Sequence, residues 1–123
     1  MIRLVLPYPP SNNRVWRVGR NGTVYKNPVA AAYQRQARMT AIIAGVSEPL
    51  RGPIHLWLEL HPKRPKKMTQ KPLRCLDLDN ALKVTLDALN GVAWLDDRQV
   101  VEMHARRGDP IDGGQLVVAW EAA

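Results

Sequence analysis

Cysteine is nearly absent from this chain: Cys75 is the only one among 123 residues. That excludes an intramolecular disulfide and any zinc site built on several thiolates, and it fits a reducing compartment. Long apolar runs are missing as well. The opening Met1-Ile2-Arg3-Leu4-Val5-Leu6-Pro7 is too short for a signal peptide. Nothing approaches the roughly 20 residues that span a membrane, so a soluble cytoplasmic protein without membrane attachment is expected. No internal repeat is visible, and the length is that of one domain, residues 1–123. Acids are in deficit. Eighteen Lys and Arg against eleven Asp and Glu leave a formal +7, with an isoelectric point near 10.1. A domain this basic is attracted to polyanions, nucleic acid above all. A ribosomal-type or surface-charged protein with no catalytic role shares that composition.

What is there reads as alternating elements. Ile2, Leu4 and Leu6 alternate with Arg3 and Val5, which predicts a strand ending at Pro7. Residues 15–18 and 23–26 flank Asn21-Gly22, a dipeptide suited to a tight hairpin turn. Asn27-Pro28 is a helix start, Ala30, Tyr33, Ala37, Ala41 and Ala44 recur at helical spacing, and Gly45 stops the helix. Ile54, Leu56, Leu58 and Leu60 alternate strictly with His55, Trp57, Glu59 and His61, the pattern of a strand with one buried face. Residues 62–74 then hold Lys63, Arg64, Lys66, Lys67, Lys71, Arg74, three prolines and no acid, which predicts an exposed, mobile basic loop. A second helix is predicted over Asp79 to Asn90, with Leu78, Leu82, Leu86 and Leu89 as its apolar stripe. Val100 to Arg106 and Leu116 to Trp120 read as two closing strands around Asp112-Gly113-Gly114. The fold class is α/β (α+β): a single small domain with one mixed sheet flanked by two main helices.

Six of the eleven acids fall between Asp77 and Glu102. Carboxylates on a nucleic-acid surface repel phosphate unless a divalent cation sits between them. Mg²⁺ takes hard oxygen ligands, typically one or two carboxylates, waters and phosphate oxygens, and it activates water for hydrolysis. Asp77-Leu78-Asp79-Asn80 has that form, since residues two apart in an extended segment share a side while Leu78 anchors the segment. Lys83 lies four residues after Asp79 on the same helix face and is placed to steady a carboxylate or developing phosphate charge. Asn80 is a candidate phosphate donor. The plainer reading stands beside this one. Asp77 or Asp79 caps the helix, Asp79–Lys83 is an ordinary surface pair worth roughly 0.3–0.5 kcal/mol, and Asp96-Asp97 is a turn. His55, His61 and His104 show no metal-ligand spacing, and the four tryptophans fit core positions better than stacking platforms.

Several segments together resemble the RusA family of crossover-junction endodeoxyribonucleases. Leu6-Pro7-Tyr8-Pro9-Pro10-Ser11-Asn12-Asn13-Arg14 is similar to the family's opening loop. Asp77-Leu78-Asp79-Asn80-Ala81-Leu82-Lys83 resembles its central motif, and Trp94-Leu95-Asp96-Asp97-Arg98-Gln99-Val100 its third acidic segment. One departure is that Cys75-Leu76 separates Arg74 from Asp77, where the family often has a basic residue directly before the first aspartate. The resemblance implies a homodimer with a mixed α/β fold that cuts four-way DNA junctions with Mg²⁺ and no small-molecule cofactor. It implies a metal-binding trio of Asp77, Asp79 and Asp97, with Lys83 as a catalytic or phosphate-contacting residue. Asn12, Asn13, Arg14, Lys63, Arg64, Lys66, Lys67, Arg74 and Asn80 are the expected DNA-facing residues. The competing expectations are a non-catalytic, structure-selective nucleic-acid-binding protein and a nuclease for other branched DNA.

Overall fold

The two-residue period at the N-terminus becomes strand β1 (Ile2–Leu6), which buries Leu4 and Leu6. The structure, a computed structural model, describes residues 1–10, 16–67 and 75–123. Strands β2 (Trp16–Val18) and β3 (Val24–Lys26) form the expected antiparallel hairpin. Its turn is carried by Gly22 at φ +80°, a value that side chains resist. Helix α1 (Pro28–Ile43) starts as predicted: Asn27 Oδ1 accepts the Val29 N–H at 2.9 Å, and Pro28 occupies the first turn. Ala30, Tyr33, Ala37 and Ala41 line its buried side.

Strand β4 (Ile54–His61) shows the alternation in full, with Ile54, Leu56, Leu58 and Leu60 inside and the intervening residues half-exposed. Helix α2 (Leu78–Leu89) follows, then a short 3-10 turn (Asp97–Gln99), strand β5 (Val100–Arg107) and strand β6 (Gln115–Ala122). The buried face of α2 differs from the expected leucine stripe. Ala81, Val84, Thr85, Ala88 and Leu89 are buried, whereas Leu78, Leu82 and Leu86 are only half-buried. Small residues let α2 come close to its neighbours. Arg38 of α1 reaches across to donate from Nε to the Ala88 carbonyl, 3.2 Å away.

The four-stranded sheet has the order β1-β6-β4-β5. Both β1 and β4 pair antiparallel with β6, and β5 pairs parallel with β4. The last two strands therefore do not close on each other around Asp112-Gly113-Gly114. The reason is burial: β6 supplies Leu116, Val118 and Trp120 to the core and takes a central place, while β5 is exposed along nearly its whole length and takes an edge. The connection between them wraps the end of β4, with Gly108 N–H donating to Leu60 O and Ile111 N–H to Pro62 O. Trp94 packs edge-on against Trp120 at 5.8 Å under the helices.

A parallel β4–α2–β5 unit requires α2 to run back against both strands. Its N-terminus thus lies where β4 ends, and its C-terminus where β5 begins. Two hydrogen bonds mark these poles. At the first, the Leu76 N–H donates to Tyr8 Oη just beyond the end of β1, at 2.6 Å. At the second, the Leu50 N–H before β4 donates to Ala93 O.

Candidate functional site

Asp77 is the N-cap residue of α2 by backbone position (φ −63°, ψ 145°), yet its side chain makes no capping hydrogen bond. Asp79 lies in the first helical turn, so the two carboxylates meet at a turn and not along an extended segment. Both are exposed, and Leu78 between them packs against the core. The positive end of the helix dipole favours both charges. Among the described residues no ion pair joins Asp79 to exposed Lys83 one turn further on. Asn80 is half-buried in the same turn.

The approach to Asp77 is held by Tyr8, which sequence reasoning passed over as part of a proline-rich loop. Its hydroxyl accepts the Leu76 N–H, and Lys63 Nζ lies 5.2 Å above its ring. Gly114 (φ +71°) closes against that ring, where an added Cβ would come within 2.6 Å of a ring carbon. Burial raises the Tyr8 phenol above its ordinary pKa, keeping it protonated. The basic segment is tied down at its start. Pro62 is buried, Arg64 N–H donates to Ile111 O, and Arg64 Nη1 lies 3.2 Å from Asp112 Oδ1. Lys63, Arg64, Lys66 and Lys67 are exposed and follow β4, at the pole that holds Asp77 and Asp79. Asn12, Asn13, Arg14 and Arg74 lie outside the described residues.

The opposite pole holds the other acidic pair, and there the two members part company. Asp96 is structural, because its Oδ1 accepts the Arg98 N–H at 2.9 Å in a capping box. Gln99 completes the box. Its Oε1 accepts the Leu95 and Asp96 N–H groups at 2.7 and 2.8 Å, while its Nε2 donates to Leu50 O and Gly52 O, both at 2.8 Å. The D-x-x-Q spacing of Asp96 and Gln99 was legible in the sequence as a helix-start signature, although the helix it starts is a single turn. Asp97 caps nothing. It is half-buried, and its Oδ1 is fully buried without a hydrogen-bond partner. A partnerless buried carboxylate oxygen is costly, and a hydrogen-bond donor or a cation placed there would satisfy it.

The trio does not converge within one chain. Asp77 and Asp79 stand at the N-terminus of α2, and Asp97 stands beyond its C-terminus at the start of β5. The twelve residues of α2 separate them by about 18 Å along the axis. In agreement, no group of three or more His, Cys, Asp or Glu side chains among the described residues is gathered to hold a metal ion. The donor chemistry fits a hard divalent cation, but each pole alone presents an incomplete set.

A basic α+β domain with two carboxylates on a helix N-terminus beside lysines has the make-up of a nuclease. Residues 7–117 match the family model described as Endodeoxyribonuclease RusA. The chain is similar to the crossover junction endodeoxyribonuclease RusA of Escherichia coli K12, 33% identical over 115 residues that cover 92% of this chain and 88% of the relative. It is similar in the same measure to the protein of that name from Shigella sonnei. The corresponding protein of Enterobacteria phage 82 is 34% identical over 117 residues, with the same coverage. The chain belongs to the RusA endodeoxyribonuclease family.

Proposed function

We propose that this protein is an endodeoxyribonuclease that resolves four-way DNA junctions by paired, symmetric nicks, with Mg²⁺ as its metal and a homodimer as its working form. The observation that carries the reading is the division of labour among the aspartates. Asp96 is consumed by a cap, whereas Asp97 keeps a buried oxygen with no partner, and Asp77 occupies a cap position without capping.

The separation of the poles supports a shared site. In a two-fold dimer the same two surfaces meet twice. Asp77 and Asp79 of one protomer then face Asp97 of the partner subunit, giving two identical sites for a two-fold substrate. A bound Mg²⁺ supplies charge neutralisation at the scissile phosphate and a water of lowered pKa. The chain's own groups do the rest. The three carboxylates hold the cation, Lys83 balances negative charge developing on the phosphate, and Lys63, Lys66 and Lys67 engage backbone phosphates. Asn80 is assigned to a phosphate oxygen, and Asn12, Asn13, Arg14, Arg64 and Arg74 to the flanking DNA.

The test is a mixing experiment on a synthetic four-way junction in Mg²⁺. Asp79→Asn and Asp97→Asn homodimers are each expected to bind junctions without cutting them. After subunit exchange, a shared site predicts that one of the two sites in each mixed dimer is intact, so nicking returns. If the mixture stays inactive while wild type cuts, the shared site is wrong. If wild type binds junctions tightly and never cuts, the protein is a structure-selective binder. The one observation on that side is that no single protomer gathers the three carboxylates.

A further inference from the structure

Tyr8 belongs to two places at once. Its hydroxyl accepts the Leu76 N–H next to Asp77, and the same residue lines a cleft of about 480 Å³ between the opening segment and α1. Pockets for small organic groups have volumes of this order. Pro9 and Tyr33 are buried and form the floor. Tyr8 and Pro10 stand on one side, and Val29 and Gln36 of α1 on the other. The aspartates described above take no part in it.

The cleft is fixed by the fold before any ligand arrives. Tyr33 Oη donates to the Pro7 carbonyl at 2.7 Å, which fastens α1 to the opening segment. Gly114 backs the Tyr8 ring so closely that a Cβ would not fit. Apolar surface is nevertheless left in water, since Val29 in the first turn of α1 is 61% exposed. Among the described residues that line the cleft there is no acid, and the only charge is Lys63. That lysine lies 5.2 Å above the Tyr8 ring and leads into exposed Lys66 and Lys67. The side-chain amide is that of Gln36, which offers donors and an acceptor together. Apolar walls, one amide and cations at the mouth suit a nucleobase that carries its own phosphate. An apolar protein segment would use Val29 and Pro10 and leave the lysines without a partner.

We infer that this cleft receives one unstacked base of the junction, held between Pro10 and Val29 with its polar edge on the Gln36 amide and its phosphate at Lys63. The inference deepens the junction-nuclease reading and rests on it. Position supports it as well as chemistry. The bond from Leu76 to Tyr8 sets the cleft one side chain away from the Asp77 pole, so the seated base belongs to a nucleotide close to the phosphate being cut. A base at the branch point of a four-way junction has no continuous stack on one side. Taking it out of the helix therefore costs less than it would within an unbroken duplex.

Abasic scanning tests the cleft. Four-way junctions with a single abasic nucleotide, stepped through the positions around the branch point, are titrated in EDTA so that cutting plays no part. Wild-type protein should lose affinity by roughly 5- to 100-fold when one particular position lacks its base, the backbone charge being unchanged. Val29→Trp fills the cleft from an exposed helix position. It should weaken binding to the intact junction by a similar factor and be indifferent to the abasic nucleotide. Gln36→Ala should behave in the same way to a smaller degree. Ile43→Trp, exposed at the far end of α1, should match wild type, and thermal melting by circular dichroism checks that each variant is folded. Wild-type affinity that ignores every abasic position would overturn the proposal. So would folded Val29→Trp and Gln36→Ala variants that keep the full sensitivity of wild type. The reading beneath fails differently. A protein that binds no branched DNA removes both, whereas base-dependent binding without nicking in Mg²⁺ faults the nuclease and leaves the cleft standing.

Discussion

The two acidic poles of α2 are built on opposite plans. At the N-terminal pole Asp77 and Asp79 are exposed, favoured by the helix dipole, and positioned through one hydrogen bond from Leu76 to Tyr8. At the other pole Asp97 rides on a turn bracketed by four hydrogen bonds of Gln99, with one carboxylate oxygen buried and unpaired. The first pole leaves its carboxylates in solvent, while the second leaves one carboxylate oxygen buried without a partner. A buried polar atom left without a hydrogen-bond partner calls for a functional account.

The carboxylates themselves should show the largest effects. Asp97→Asn and Asp79→Asn should each lower junction cleavage by roughly 10²–10³-fold or more, read by single-turnover nicking in Mg²⁺. Their effects on stability should have opposite signs. Asp97→Asn removes the charge of a half-buried carboxyl whose Oδ1 has no hydrogen-bond partner and should raise the melting temperature, whereas Asp79→Asn removes a dipole-favoured charge and should lower stability by about 0.5 kcal/mol. Equal shifts would erase the distinction drawn between the poles.

Gln99→Leu comes next in size. It removes the partners of two backbone N–H groups and two carbonyls, three of these four bonds being exposed to water, and should destabilise the fold by about 1–2 kcal/mol in urea, with cleavage lost alongside. A change confined to cleavage would mean that the bracket aims Asp97 without supporting the fold. Neutralising Lys63, Arg64, Lys66 and Lys67 together should weaken junction binding and reduce its salt slope by about 0.9 for each phosphate no longer neutralised. Arg64 should contribute least because it already faces Asp112. An unchanged slope would show that these cations are merely solvated. The smallest expected effect is that of Tyr8→Phe, which removes the acceptor of the Leu76 N–H at a cost of about 1 kcal/mol. It should raise the Mg²⁺ concentration needed for half-maximal cleavage and leave saturating rates and the dimer nearly unchanged. A loss of rate at saturating Mg²⁺ with the same half-maximal concentration would show that Tyr8 does not act through the metal site.

Much of the fold follows from patterns that need only neighbours in sequence. The alternation in β1 and β4, the Asn21-Gly22 hairpin and the Asn27-Pro28 helix start are local, because strand period, turn dihedrals and capping are decided within a few residues. The family was legible too, since motif spacing survives without any knowledge of the tertiary arrangement. Sequence likewise marked Asp77 and Asp79 as candidates, because carboxylates in a strongly basic chain ask for a cation, whereas Asp97 entered only through the family resemblance. What local pattern could not reach was order in space. The insertion of β6 between β1 and β4, the parallel run of β5 and the burial of Ala81 and Ala88 in place of the half-buried leucines depend on which surfaces pack together. Only that packing sets Asp97 a helix length from Asp77 and Asp79, and only it leaves Asp97 with a buried oxygen to satisfy, whereas the cap made by Asp96 is local. Spacing along the chain measures contour, and a helix between two motifs turns nearness in sequence into distance in space.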